Sequence, residues 1–141
     1  MAVIDGIGST YFRQFLTRKI SRLIDSRVTC FTLAELLVGV DSVFHQAALA
    51  GVVASWGQSF AIYTELNILN TQRLLEAAVG SPTITRFVYA SSSSVYGDTD
   101  SLPLRETDRP QPVSPYGVSK LAGEHLARLY AVNYGVPTVS L

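Results

Sequence analysis

The sequence predicts an α/β protein with a doubly wound parallel sheet, because short apolar segments alternate along the chain with long helical ones. The short runs AVI (2–4), VF (43–44) and RFVYAS (86–91) are rich in β-branched or aromatic residues, as buried strands are. Between and after them, apolar residues recur at helical spacing over about 60–79 and 116–134. Such alternation is typical of parallel βαβ units.

The elements follow in order along the chain. The strand at 2–4 ends at the turn Asp5-Gly6, and a helix is predicted over 9–20 with Ser9 as its N-cap. The remaining predicted elements are a short strand within 21–28, a helix over 32–40, a strand ending at His45, a helix over 60–79, a strand over 86–91, a polar loop over 97–115, a helix over 116–134 and a strand from Pro137.

Length and composition predict a single domain over 1–141 and exclude several classes of protein. Eleven Lys and Arg balance eleven Asp and Glu, so the charge does not indicate a nucleic-acid or membrane-surface partner. The longest apolar run, 47–56, is shorter than the roughly 20 residues that span a bilayer. Cys30 is the single cysteine, which permits no internal disulfide and fits a cytoplasmic location. His45, His125 and Cys30 are too scattered to predict a metal site.

Three polar or glycine-containing segments follow predicted strands. They are DGIGST (5–10), HQAALAG (45–51) and SSSSVYG (91–97). In a doubly wound sheet, ligands bind beyond the carboxyl ends of the strands. The sequence therefore predicts that these segments converge on one binding crevice.

Two groups of residues near the predicted crevice are candidates for substrate binding or catalysis. A serine run, 91–94, could bind a substrate oxygen, although a polar exit from a strand is the commoner reason for such a run. In SPYGVSK (114–120), Tyr116 and Lys120 lie four residues apart, on one face of a predicted helix. An ammonium near a phenol favours the phenolate and lowers the tyrosine pKa from about 10, which suits proton transfer. Taken alone, this pair is also compatible with two ordinary helix-surface side chains.

Together, the serine strand and the Ser-Pro-Tyr-x-x-x-Lys motif resemble the extended short-chain dehydrogenase/reductase family, in particular its NAD-dependent nucleotide-sugar epimerases and dehydratases. The segments VDSVFHQAALAG, ELNILNTQRLLEAA and RFVYASSSSVYGD are similar to consecutive family segments, and the similarity continues from 112 to 141. The resemblance implies a Rossmann-type NAD-binding domain.

The resemblance also implies roles for individual residues. Tyr116 matches the catalytic acid/base, Lys120 the lysine that lowers the tyrosine pKa and bonds the nicotinamide ribose, and Ser92 the catalytic serine. Ser93 and Ser94 are expected to contact substrate. The expected cofactor-binding residues are Gly6, Gly8, Gln46, Ala47, Ala48, Leu49, Ala50, Asn67 and Ala90, together with Tyr116 and Lys120.

Within the family, the residues after the catalytic hydroxyl indicate the reaction. The 4,6-dehydratases usually carry Asp-Glu there, whereas this chain has Ser93 and Ser94. That difference favours a UDP-sugar epimerase working through a transient keto sugar over a dehydratase, and a reductase of the same family stays an alternative. The long helices are also candidates for a homodimer interface, as in family members.

The N-terminal region departs from the family pattern. The glycine turn contains only Gly6 and Gly8, and Asp5 occupies a place where the family has a further glycine. Too few residues precede Ile24 for the family's second strand and its ribose-binding acidic residue, so the sheet is expected to be incomplete there. The chain is also expected to lack the C-terminal substrate region. An alternative is therefore a non-catalytic remnant that no longer binds the cofactor.

Overall fold

The structure, a computed structural model, describes residues 2–5, 22–25, 30–99 and 102–141. The helix predicted over 9–20 and the glycines Gly6 and Gly8 lie outside the described residues. None of the helices in the described part of the chain is both long and apolar enough to cross a membrane.

Five strands form one parallel sheet, which confirms the predicted α/β class. They are β1 (Ala2–Asp5), β2 (Arg22–Asp25), β3 (Ser42–His45), β4 (Arg86–Tyr89) and β5 (Thr138–Ser140), in the order β2-β1-β3-β4-β5. Within the sheet, β2 lies on one side of β1 and β3 lies on the other side. The carboxyl ends of β1 and β3 therefore flank the topological switch point, where α/β sheets form their ligand crevice.

The central strands alternate between the core and partly covered positions. Val43 and His45 of β3, and Phe87 and Tyr89 of β4, are at most 2% exposed. Leucines from the helices complete the apolar cluster under the sheet. Its buried members are Leu33, Leu37, Val40, Val43, Ala47, Leu74, Leu75, Ala78, Ile84, Phe87, Tyr130 and Val136.

The helices begin and end close to the predicted positions, with one difference in geometry. Helix α1 is Cys30–Leu36, and the predicted helix over 60–79 divides into α2 (Phe60–Tyr63), a π-helical turn (Thr64–Leu69) and α3 (Asn70–Ala78). We call residues 60–78 the interrupted helix. Single π-helical turns inside α-helices occur frequently at functional sites, and this one contains Asn67.

Helix α4 (Pro115–Tyr134) has clear sequence determinants at both ends. The Ser114 hydroxyl accepts a hydrogen bond from the Gly117 N–H at 3.0 Å, and Pro115 fits the first helical position. The helix ends at Gly135, whose φ of 70° is the left-handed conformation of a C-terminal cap. These two signals fix where the Tyr116–Lys120 turn begins.

Trp56 is a large aromatic residue on the surface, 59% exposed. Trp56 lies between two short 3₁₀ turns, Val53–Ser55 and Gly57–Ser59, that carry the chain over the surface before the interrupted helix.

Candidate active site

The start of α4 packs directly on the segment that leaves β4. A short turn, Ser93–Val95, follows the strand, and a Cβ on Gly117 would come within 2.5 Å of the Ser94 carbonyl oxygen. Glycine is therefore required at position 117 for this approach. The contact brings the serine run and the Tyr116–Lys120 turn together at the carboxyl edge of the sheet, as the motif predicts.

Lys120 is held inside the protein at this junction. The residue is only 4% exposed, and its Nζ donates a hydrogen bond to the Ala90 carbonyl at 2.7 Å. The Nζ also lies 5.2 Å from the centre of the Tyr89 ring. Burial disfavours the charged form and lowers the pKa of Lys120 to about 8. This amine is therefore fixed in place, and its lowered pKa still leaves it mostly protonated at neutral pH.

Tyr89 supports Lys120 from beneath. Its hydroxyl donates to the Lys120 carbonyl at 3.4 Å, and burial raises the pKa of Tyr89 above its ordinary value. A Cβ on Gly123 would come within 2.1 Å of the same hydroxyl, so α4 needs a glycine there to pass over the ring. Tyr89 is thus a neutral residue that supports α4 beneath Lys120.

Tyr116 is partly buried and fixed through its backbone and its ring. Its N–H donates to the Ser55 hydroxyl at 3.1 Å, and its carbonyl accepts from the Ser119 hydroxyl at 2.7 Å. Its ring meets the Tyr63 ring edge to face, with centroids 6.3 Å apart. All three partners were missed in the sequence. Ser119 alone had a signal, because it lies within the SPYGVSK motif three residues after Tyr116.

Asn67 connects the loop after β3 to α4. Its Oδ1 accepts from the Leu49 N–H at 2.7 Å, while its Nδ2 donates to the Leu49 carbonyl and to the Ser119 hydroxyl, each at 3.0 Å. Asn67 is 1% exposed, and these three hydrogen bonds of its side chain are with protein atoms. A direct contact between Asn67 and a cofactor stays a prediction, whereas its support of Leu49 is a structural fact.

The predicted cofactor loop differs in exposure along its length. Gln46 and Ala50 are exposed, Ala48 and Leu49 are half-buried, and Ala47 is buried in the apolar cluster. Four of the five side chains therefore have surface available to a ligand. The side chain of Ala47 packs into the core, so only its backbone remains a candidate for contact.

The serines after β4 have different environments. The Ser92 hydroxyl accepts from the Ser94 N–H at 3.2 Å and caps the short turn. Ser92 and Ser94 are half-buried, and Ser93 is exposed. Ser91, to which the sequence assigned no separate role, donates a short hydrogen bond to a carboxylate oxygen of Glu124 on α4.

His45 is a buried residue at the end of β3, only 2% exposed. Its Nε2 lies 2.7 Å from the Thr71 hydroxyl, which in turn donates to the Asn67 carbonyl at 2.6 Å. Because Thr71 uses its proton on that carbonyl, His45 donates from Nε2 and carries no proton on Nδ1. Burial, and secondarily the Lys120 charge, lowers the pKa of His45 to about 3. Within the described residues, no group of three or more His, Cys, Asp or Glu side chains could hold a metal ion.

The backbone places one further acidic residue at this edge. Strand β2 pairs directly with β1, with Asp25 opposite Asp5 in the register. The register thus brings the carboxyl ends of β1 and β2 side by side, at the edge where such sheets bind their ligands.

Comparison with known proteins identifies what this arrangement resembles. Residues 30–141 match the GDP-mannose 4,6 dehydratase family. An uncharacterized UDP-glucose epimerase of Bacillus subtilis is 41% identical over 148 aligned residues, which cover 100% of this chain and 46% of that protein.

Solved structures give the same result. The UDP-glucuronic acid 4-epimerase of Bacillus cereus, in complex with UDP-glucuronic acid and NAD, matches with a TM-score of 0.80 and 38% identity, over 99% of this chain and 46% of that one. The dTDP-glucose 4,6-dehydratase DesIV of Streptomyces venezuelae, with NAD bound, matches with a TM-score of 0.80 and 32% identity, over 99% and 44% of the two chains. The chain therefore spans just under half the length of these relatives.

Proposed function

The chain belongs to the family of NAD-dependent nucleotide-sugar epimerases and dehydratases, within the extended short-chain dehydrogenases/reductases, and from this membership we propose that it is the NAD-binding, proton-transferring part of a UDP-sugar epimerase. The observation that carries the proposal is the Tyr116–Lys120 turn of α4. It packs on the serine segment after β4, with the Lys120 amine fixed on the Ala90 carbonyl. The domain 1–141 is proposed to act as one unit.

The described residues fit NAD at the switch point between β1 and β3. The loop 46–51 leaves β3 there and is built largely from alanine and glycine, so that its backbone is accessible to a ligand. Asp25 lies at the same edge, where a carboxylate could accept a hydrogen bond from a ribose hydroxyl. Gly6 and Gly8 are proposed to complete the crevice on the β1 side, and Ala90 on the β4 side.

The chain's own residues have defined tasks in this proposal. Tyr116 takes a proton from a sugar hydroxyl and later returns it, while Ser92 donates a hydrogen bond to the same oxygen. Lys120 stabilises the charge on Tyr116 and bonds the nicotinamide ribose. Ser93 and Ser94 hold neighbouring sugar hydroxyls. NAD, when bound, would supply a reversible hydride acceptor for the sugar carbon, which allows inversion of that centre through a transient keto sugar.

A 4,6-dehydratase is the second candidate, supported by the family match over residues 30–141 and by the likeness to DesIV. Elimination of water needs an acid and a base beside the sugar. The positions after Ser92 carry Ser93 and Ser94 instead of carboxylates, which favours epimerisation. The non-catalytic remnant is the third candidate, and the absence of NAD binding would distinguish it.

Two further expectations belong to this proposal. Exposed apolar side chains on both long helices, including Ile62, Leu69, Leu129 and Val132, support a homodimer that packs these helices against a second copy. A cytoplasmic location fits the pool of nucleotide sugars that the reaction would use.

Two measurements test the proposal in sequence. A thermal melt of the purified chain with saturating NAD⁺ should show a higher midpoint, because a ligand that binds only the folded state stabilises it. Incubation with NAD⁺ and UDP-glucose or UDP-glucuronic acid should then give the 4-epimer. Accumulation of a 4-keto-6-deoxy sugar would favour the dehydratase, and a melt that NAD⁺ does not shift would support the remnant.

A further inference from the structure

Tyr63 is a buried aromatic residue that does not belong to the main core. It is 1% exposed and is among the largest fully buried side chains. Nevertheless, the apolar cluster that the described residues form under the sheet does not include it. Tyr63 ends α2 and packs instead between the loop after β3 and the start of α4.

The hydroxyl of Tyr63 holds that loop. It donates to the carbonyls of Ala50 and Gly51, each at 3.0 Å. Gly51 has a φ of 120°, a conformation that side-chain-bearing residues rarely adopt, and a Cβ there would lie 3.2 Å from the same hydroxyl. The turn at the end of the predicted cofactor loop is therefore shaped around the Tyr63 hydroxyl.

The ring of Tyr63 holds Tyr116. The two rings meet at an interplanar angle of 76°, the edge-to-face geometry that aromatic pairs prefer. A second link runs in parallel, since the Ser55 hydroxyl accepts from the Tyr116 N–H and donates to the Val52 carbonyl at 2.6 Å. The segment 49–55 and the first turn of α4 are thus joined at several points.

We propose that Tyr63 is a positioning residue that sets the cofactor loop and the Tyr116 ring relative to each other. One side chain fixes both, the loop through its hydroxyl and the proton-transferring ring through its edge. Because a misplacement of about 1 Å can cost roughly 100-fold in rate, such a joint support is a requirement of the reaction proposed above, on which this inference rests.

The test compares Tyr63→Phe with a matched control. Tyr63→Phe keeps the ring and removes the two hydrogen bonds to the loop. Tyr130→Phe is the control, because the Tyr130 hydroxyl also makes two hydrogen bonds, to Glu76 at 2.5 Å and from Gln72 at 2.8 Å. That site joins α3 to α4 about four turns away from Tyr116 along α4. Tyr63→Leu, which also removes the ring contact, serves as a second variant.

Amide hydrogen exchange of the chain without ligand is the first readout. Tyr63→Phe should speed exchange at the Leu49 and Tyr116 amides by about tenfold beyond any change in global stability, and Tyr63→Leu by more, whereas Tyr130→Phe should change them only in step with global stability. The second readout is the Kd for NAD⁺, which Tyr63→Phe should raise about fivefold and Tyr130→Phe should not change.

The outcomes separate the inference from the proposed function. If the native chain does not bind NAD⁺, the proposed function fails, while hydrogen exchange still decides whether Tyr63 orders the loop and Tyr116. If the Tyr63 and Tyr130 variants affect the Leu49 and Tyr116 amides alike, the inference is overturned and Tyr63 is an ordinary buried side chain. Equal NAD⁺ affinity of the native chain and Tyr63→Leu would overturn it as well.

Discussion

The amine of Lys120 is hydrogen-bonded to the carbonyl of Ala90, the residue that immediately precedes the serine run. This contact joins α4 to the end of β4 through one buried cation. It gives a physical reason for the combination of the Tyr-x-x-x-Lys spacing with the serine run, because Lys120 reaches the strand end from the second turn of α4. A cation in so little contact with water is costly, and that cost leads to the first prediction.

Replacement of Lys120 by Met should stabilise the protein and remove its activity. The free energy of unfolding at pH 7 should rise by about 1–3 kcal/mol, because folding no longer has to desolvate an ammonium group whose pKa is lowered to about 8. Turnover should fall by at least about 100-fold, because Tyr116 loses its neighbouring charge. Urea unfolding and a product assay check the two effects. A variant that is both less stable and still active would contradict the role given to the buried amine.

The stabilising effect of the same substitution should depend on pH. The folded-state pKa of Lys120 lies below the unfolded value, so the unfolded chain binds more protons between about pH 8 and 10.5. The native protein should therefore gain stability across this window relative to Lys120→Met. Parallel stability curves of the two proteins from pH 7 to 10 would exclude the depressed pKa.

Replacement of Tyr116 by Phe should abolish turnover without unfolding the chain. The contacts of Tyr116 described above use its N–H, its carbonyl and its ring, and phenylalanine retains all three. We expect the free energy of unfolding to change by less than about 1 kcal/mol, the NAD⁺ midpoint shift to persist, and turnover to fall about 100- to 10,000-fold. Retention of activity in this variant would contradict the epimerase proposal.

The sequence predicted which segments meet at the candidate site better than it predicted the residues that hold those segments in place. The element order and the convergence of the loop after β3, the serine run and Tyr116–Lys120 follow from local patterns: strand composition, a serine N-cap and a Pro-Tyr helix start. Ser55, Tyr63 and Glu124 were not found, because their roles depend on contacts between segments far apart in sequence, and nothing in their local pattern distinguishes them from ordinary helix or turn residues. The π-helical turn around Asn67 was missed for the same reason, since its apolar spacing is that of an α-helix.

Low pH should destabilise the protein through His45. The imidazole is buried and neutral, with a folded-state pKa of about 3 against 6.5 for the exposed side chain. Between these values the unfolded chain binds the extra proton, so stability is fully present above about pH 6.5 and is lost as the pH falls. The loss should approach several kcal/mol by pH 4. Urea unfolding from pH 7 to 4 measures the slope, with the exposed His125 replaced by Gln as the control. If His125→Gln abolished the loss of stability at low pH, the loss would be due to His125 and the prediction for His45 would be wrong.

Replacement of Asn67 by Asp, the residue most similar to it in shape, should destabilise the protein. Its amide group pairs with both the N–H and the carbonyl of Leu49, as a neighbouring strand would, and also reaches Ser119. Asn67→Asp keeps the acceptor for the Leu49 N–H but places a carboxylate oxygen against the Leu49 carbonyl, and it leaves Ser119 without its donor. We expect a loss of about 2–4 kcal/mol at pH 7. The loss should shrink as the pH falls towards 4, because a protonated Asp regains one donor. Asn133→Asp, the same change at an exposed amide that donates to the Leu129 carbonyl, should cost about 1 kcal/mol or less. Equal losses in the two variants would mean that Asn67 contributes only a surface-like hydrogen bond, and the link from the cofactor loop to α4 would then rest on Tyr63 and Ser55 alone.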